Sequence, residues 1–337
     1  MRPLVIPGSQ AWSQLKRNAR GRWPDRQQAE RLLPLAAPDP GELFALRGDE
    51  RVFCIGSCFA REIETTLDRL GFDVLSMQAD LPASPNRTMQ DRRVFNKYTV
   101  GAILNELRWA LAPERFPYDH DQVLVAVPGD LRWSDHQLRG EALAEPRAEA
   151  EAMRLAVNRF FARVRDAELV VLTLGLSEAW HDNASGLYLN TAPSEHLVRQ
   201  HPGRYDLHVL DAATTAAMLA EIDALLRAHL PPDGKLLLTV SPVPLAATFR
   251  AQDVLIANMY SKSLLRSACD AFLSERPHAR YFPSYECAML SDPALVWGEA
   301  DFRHVSLDFV DYLMASALSG LGDAGGRAAR ARDSRSE

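Results

Sequence analysis

The sequence predicts an α/β protein in which a parallel sheet carries helices on both faces. Three observations predict it. Short apolar runs at 52–55, 169–174 and 235–240 have the length and near-continuous apolarity of buried parallel strands. They alternate with stretches whose apolar residues recur three and four positions apart, the period of amphipathic helices. Polar residues able to do chemistry follow the strand runs directly, and sheets of this kind bind ligands at the carboxyl ends of their strands.

The elements follow in order. Residues 1–48 are rich in Pro, Arg and Trp and lack clear periodicity, so they read as an irregular arm on the body. Residues 49–321 read as one α/β domain. It opens with the strand at 52–55, a sharp turn at Gly56, and a helix with Phe59, Ile63, Thr66, Leu67 and Leu70 on one face. Residues 72–75 are a short second strand, and 80–93 a loop. A helix then presents Val100, Ile103, Leu104, Leu107 and Leu111. Residues 113–147 show no long element beyond a strand candidate at 122–127, and are expected to form a lid or side wall. A helix over 151–165 is expected to bury Leu155, Phe160, Phe161 and Val164. The strand at 169–174 and a loop over 175–202 come next. A helix over 212–229 then buries Met218, Leu219, Ile222, Leu225 and Leu226. After the strand at 235–240 come a helix over 253–273, a short strand at 280–282, and a last helix with Val305, Val310, Leu313, Met314, Ala317 and Leu318. The tail 322–337 reads as disordered.

Composition narrows the function classes. The 337 residues are 47% hydrophobic and 24% charged, ample for a full core. A formal charge of -6 with no basic stripe argues against nucleic acid as a partner. No apolar run approaches a membrane span, and the apolar stretch near Met1 is too short for a signal peptide, so the expected compartment is the cytoplasm. Cys54, Cys58, Cys269 and Cys287 are too few and too scattered for a disulfide scaffold, and no Cys/His spacing suggests a metal site. Oligomeric state is not legible.

Two stretches carry the chemistry. Ser57 and Cys58 sit at a strand-turn-helix junction, which lifts a nucleophile clear of the sheet and aims free backbone N–H groups and the positive helix end at it. Asp301 and His304 stand three residues apart before the last helix, a spacing that suits an orienting acid and a base. The blander readings are a turn with a serine cap, a small buried thiol, and a capped surface histidine. Lys97 reads either as a solvated lysine or as one facing an anion; His181 is open between packing and binding, and Trp180 reads as packing. Ser241-Pro-Val-Pro244 reads as a rigid turn.

With these residues in view the chain resembles the GSCFA family, named for the motif standing here at Gly56, Ser57, Cys58, Phe59 and Ala60. Further blocks at 95–99 with 104–109, 173–180, 186–190, 239–244 and 281–286 match in order, so the resemblance covers roughly residues 50–315. The family looks like a branch of the SGNH/GDSL hydrolases. That implies a flavodoxin-like three-layer α/β/α sandwich. Position by position, Gly56 matches that superfamily's first glycine, Ser57 its aspartate and Cys58 its nucleophile. Asp301 and His304 match the acid and base. Gly175, Ser177 and Glu178 fall on the oxyanion block, with Ser177 where an asparagine would stand. Asn96, Lys97 and His181 complete the oxyanion or substrate-binding set.

The resemblance implies acyl transfer or acyl-ester hydrolysis through a covalent intermediate on Cys58, or on Ser57, with an Asp–His dyad. No cofactor is required; acyl-CoA or another activated acyl donor is the expected substrate class, with a small molecule or carbohydrate as acceptor. The rival is a sugar- or CoA-binding protein in which Cys58 is structural. A redox thiol protein ranks last, because there is no Cys-x-x-Cys pair.

Overall fold

A computed structural model of the chain describes residues 4–318, apart from 42, 45 and 83–91. The expected tail, the last residues of the expected domain and most of the 80–93 loop lie outside the described residues. In chain order the strands are β1 (Arg51–Ile55), β2 (Asp73–Val74), β3 (Leu124–Ala126), β4 (Arg132–Asp135), β5 (Gly140–Pro146), β6 (Leu169–Leu174), β7 (Glu178–Asp182), β8 (Leu187–Tyr188), β9 (Tyr205–Val209), β10 (Lys235–Val240) and β11 (Ala279–Tyr281). The helices are α1 (Gly8–Arg17), α2 (Cys58–Arg69), α3 (Val100–Leu111), α4 (His120–Val123), α5 (Arg147–Ala162), α6 (Glu195–Gln200), α7 (Ala212–His229), α8 (Val254–Leu273), α9 (Ser284–Leu290), α10 (Pro293–Val296) and α11 (Leu307–Leu318).

The central sheet has five parallel strands in the order β11-β10-β6-β1-β2. Alternate side chains divide between two faces, as the pleat requires. Phe53, Ile55, Val170 and Leu172 pack with residues of α3, α5, α7 and α8. Val52, Cys54, Leu169 and Val171 pack with residues of α2, α9 and α11. The result is the three-layer α/β/α sandwich with a doubly wound order. The chain runs outward from β1 to β2 on one side, then returns through β6 to β10 and β11 on the other. The crevice between the carboxyl ends of β1 and β6 is therefore the switch point, where such folds bind ligands.

Four expectations need correction. The arm contains the helix α1, and its later part is pinned to the body: the Ala36 amide donates to Ser291 Oγ at 2.8 Å, and Leu43, Phe44 and Leu46 pack on the α2–α11 face. Residues 113–147 form an antiparallel sheet, β3-β4-β5, and the strand candidate at 122–127 is β3. The expected loop at 175–202 contains β7, β8 and α6, and β7 is the middle strand of a second antiparallel sheet, β8-β7-β9. The reason is common to both sheets. Their inward positions include Ser134, Asp135, Glu145, Glu178 and Asp182, all buried and polar, so the apolar alternation that marks a strand is missing. The same cause misplaces one face of α5. Leu155 is 45% exposed, whereas Arg154 is fully buried against Glu106.

Candidate functional site at the sheet switch point

Gly56 leaves β1 with φ +154°, and a Cβ there would sit 1.7 Å from Thr173 Oγ1 on β6. Only glycine lets the two strands approach this closely at the turn. Ser57 follows as the extended residue ahead of α2, but its hydroxyl makes no capping hydrogen bond. The serine-cap reading therefore does not hold, and the first amides of α2 keep their free donors near Cys58. Cys58 is the first residue of α2 and is partly exposed; Cys54, Cys269 and Cys287 are buried. Burial pushes the Cys54 thiol well up, and those of Cys269 and Cys287 up to about 12. Cys58 is thus the one cysteine that a solvent-borne electrophile reaches without unfolding.

The segment 96–99 lies across both strand ends. The Lys97 amide donates to Gly56 O at 2.8 Å, and the Leu176 amide to Tyr98 O at 2.9 Å. Gly175 is required here because a Cβ would lie 2.7 Å from Tyr98 O. Asn190 clamps the segment. Its Oδ1 accepts from the Tyr98 amide, and its Nδ2 donates to Asn96 O and Leu138 O, at 2.8, 2.8 and 3.0 Å. The Asn96 side chain is, with that of Ser177, one of two oxyanion candidates that keep a buried polar atom without a partner among the described residues. Its Oδ1 is buried without a partner, and its Nδ2 reaches Tyr98 Oη only at 3.5 Å.

Ser177 is fully buried; its amide donates to Ser261 Oγ at 3.0 Å, while its own Oγ is buried without a hydrogen-bond partner among the described residues. The remaining expected site residues are committed elsewhere. Glu178 accepts from Thr248 Oγ1 and the Phe249 amide at 2.6 and 3.2 Å, holding the loop after β10. The Lys97 ammonium is neither solvated nor turned to the crevice; it is fully buried on Glu106 at 2.5 Å. His181 stacks on His208 at 4.8 Å and bonds Asn183, so its contacts lie within the β8-β7-β9 sheet.

The Asp301–His304 turn is formed as expected. Asp301 accepts from His304 Nδ1 and from the His304 amide, both at 2.7 Å, and from the Arg303 amide at 3.0 Å. These bonds hold the Asp301 carboxyl down to about 2, the His304 backbone amide contributing most. With Nδ1 engaged, Nε2 is the ring atom left for chemistry. A bridge between Trp297 and Val305 closes the loop that carries the pair. Arg303 Nε reaches Pro244 O at 3.4 Å, and Val305 and Cys58 border the same apolar cluster as Val243. Both stretches therefore border the α2–α9–α11 layer of the sandwich. Among the described residues no hydrogen bond joins His304 to Cys58 or Ser57, and the His304 side chain is 58% exposed.

Residues 51–316 match the model of the GSCFA family, well over half of the chain. The chain belongs to that family. No curated protein and no solved structure matches it. The GSCFA motif itself is the β1–α2 junction just described, so the family's namesake residues occupy the switch point of the sheet.

Sequence reasoning missed Lys262. It is fully buried on α8, and its Nζ donates to Gly175 O and Val243 O, each at 2.8 Å. Burial first, then Arg303, lower its pKa, and Cys58 opposes them; the balance falls at about 7. The available signal was a lysine on the stripe Asn258, Leu265, Cys269, four before and three and seven after it, where an apolar residue belongs.

Proposed function

We propose that this protein carries out acyl transfer or acyl-ester hydrolysis through a covalent acyl-enzyme on Cys58, in the manner of SGNH-type hydrolases. The observation that supports this best is the solvent-reached thiol on the first turn of α2 at the switch point. The Asp301–His304 pair is formed in the turn before α11, and Arg303, between the two, reaches the carbonyl of Pro244 after β10. In this reading His304 Nε2 takes the proton of the Cys58 thiol, and the thiolate attacks the carbonyl carbon as the carbonyl π pair moves to oxygen. Amides at the start of α2, with the Asn96 side chain, hold that oxyanion. The intermediate collapses, the C–X bond breaks, and His304 Nε2–H protonates the leaving group. Water or an acceptor hydroxyl then attacks the thioester, with His304 as base, and the thiolate is regenerated. Because His304 does not touch Cys58, the turn at 298–304 has to close on the bound substrate.

A second reading, a sugar- or CoA-binding protein, is favoured by one observation. Ser177, on the oxyanion block, is buried with its amide already donated to Ser261.

The test is intact-protein mass spectrometry after incubation with acyl-CoA and activated esters, with Cys58→Ala, Ser57→Ala and His304→Ala beside the wild type. An adduct lost only in Cys58→Ala supports the proposal. Loss only in Ser57→Ala transfers the role to the serine. No adduct, with CoA or a sugar retained by the native protein, supports the binding reading.

A further inference from the structure

A cavity of about 90 Å³ opens beside the segment that crosses the strand ends. Thr99 and Leu176, bridged to each other after β6, form one wall. Trp180 of β7 forms another, and Ala247 and Phe249 line it from the loop after β10. Neighbouring strands lie about 4.8 Å apart, so a cavity at the ends of β6 and β10 is roughly 5–10 Å from Cys58 at the end of β1.

One group in these walls is not explained by packing. The Trp180 ring packs on Leu189, Leu197 and Tyr205, and Phe249 meets it edge-on at 5.1 Å. Its indole Nε1–H, however, is buried without a hydrogen-bond partner among the described residues. A buried indole N–H normally has one, because water would otherwise have supplied it. A phenylalanine would pack there without that loss. The other polar groups of the walls are engaged. Glu178 accepts from Thr248 Oγ1 and the Phe249 amide, Asn190 clamps the 96–99 segment, and Thr99 Oγ1 caps α3. The cavity therefore offers a ligand aliphatic walls and an unused donor.

Size and chemistry narrow the occupant. An apolar cavity of about 150 Å³ holds a benzene ring, so about 90 Å³ takes roughly three or four heavy atoms. A sugar ring is larger, and its several hydroxyl donors would find Glu178 and Asn190 already engaged. A chain end with a single oxygen meets both limits.

We propose that this cavity is the acyl-specificity pocket of the Cys58 site: it takes the far end of a medium-length acyl chain, and an oxygen near that end accepts from Trp180 Nε1–H. This rests on the reading of Cys58 as nucleophile. The carbonyl stays at Cys58, where the Sγ–C bond forms as the C–S bond to CoA breaks and CoA leaves as its thiol. The chain runs along the 96–99 segment toward β10. Phe249, 60% exposed beside the cavity, is covered when the chain is seated.

The test is the rate at which Cys58 of the full chain gains acyl mass from saturated acyl-CoAs, acetyl to palmitoyl, read by intact-protein mass spectrometry. Wild type is compared with Ala247→Phe and Trp180→Phe, with Cys58→Ala as the blank. In wild type the rate peaks at an intermediate length, because each methylene seated in an apolar pocket is worth about tenfold or more. Ala247→Phe fills the cavity from an exposed wall position and moves the peak to shorter chains. The donor of peak length is then compared with its analogue hydroxylated near the far end. The ratio of the two rates, hydroxylated over saturated, falls at least about threefold in Trp180→Phe.

The same chain-length profile in wild type and Ala247→Phe overturns the pocket and leaves the acyl-enzyme reading standing. An unchanged ratio in Trp180→Phe overturns the role of the indole. Should Trp180→Phe fail to fold, the Ala247→Phe profile decides, since that side chain stands at the surface. No adduct on Cys58 with any donor overturns both the pocket and the acyl-enzyme.

Discussion

Replacing Glu106 by glutamine should destabilise the protein by about 3–5 kcal/mol, a large share of the roughly 5–15 kcal/mol of a typical domain. Glu106 is wholly buried on α3, between Lys97 at 2.5 Å and Arg154, whose guanidinium grips both carboxylate oxygens. Asp135 adds a longer contact to Arg154 at 3.5 Å. Two cations and two anions make the cluster neutral. Glu106→Gln keeps the shape but leaves a net positive charge sealed from water, with two cations sharing one distant carboxylate. The paired substitution Glu106→Gln with Lys97→Met returns the sum to zero and should recover about 2 kcal/mol or more. The assay is urea unfolding of the wild type, both single variants and the double variant. A single-variant loss below about 1 kcal/mol would refute the claim that the cluster is dry and charge-balanced. A double variant no more stable than Glu106→Gln would refute the charge argument itself.

Further outcomes are expected. Gly56→Ala places a Cβ 1.7 Å from Thr173 Oγ1 and 2.8 Å from Thr173 O, so it should destabilise by roughly 3 kcal/mol or more. Thr173→Ala should not rescue it, since the carbonyl remains; denaturant midpoints of the three variants test this. Asp301→Asn should slow turnover by on the order of 10²- to 10⁴-fold with an unchanged circular dichroism spectrum, because it misdirects the His304 ring without touching the core. With its carboxyl held to about 2, the Asp301 contribution to the turn is complete above about pH 4 and lost as pH falls through 2. The His304 amide shift in NMR follows that window. Glu64 behaves in the opposite sense. Burial raises its carboxyl to about 7, outweighing Arg61 and Arg92 at 2.7 and 2.6 Å. Between about pH 4.5 and 7 the folded state holds a proton that the unfolded chain has lost, so stability should decline by about 3 kcal/mol across that window. Urea titrations of Glu64→Gln should be flatter there.

The parallel sheet was legible because β6 and β10 bury both faces and so read as unbroken apolar runs. Gly56–Cys58 and the Asp301–His304 pair were legible because their chemistry is local: a turn, a helix start, an acid three residues from a base. What stayed hidden is whatever depends on a distant partner. The two antiparallel sheets bury Asp135, Glu145, Glu178 and Asp182, and those positions look like surface until Arg154, Thr248 or Arg204 is brought opposite. Of the two readings of Lys97, the solvated one fails for the same reason, and the anion it faces is the buried Glu106. Its backbone belongs to the site while its ammonium belongs to Glu106, and sequence does not separate the two. Ser177 looked open to a ligand because its block aligns with an oxyanion motif, yet it is fully buried, with its amide held by Ser261, 84 residues away, and its own hydroxyl unpartnered among the described residues.

The pinning of Leu35, Ala36, Leu43, Phe44 and Leu46 has a consequence for how the molecule is made. The Ala36 amide meets the Ser291 hydroxyl across 255 residues of chain, and the Tyr312 hydroxyl reaches back to Leu35 O and Ala36 O. Closing a loop of that length costs about 5 kcal/mol in chain entropy, so this contact forms only after the sheet and its helices have shortened the effective path. On a ribosome adding roughly 5–20 residues each second, Leu43, Phe44 and Leu46 wait on the order of 10 to 50 s before α11 offers them a surface. Throughout that interval this apolar strip has Ile63, Leu67, Leu169 and Val171 beside it as they are made, but lacks the cover of Met314 and Ala317.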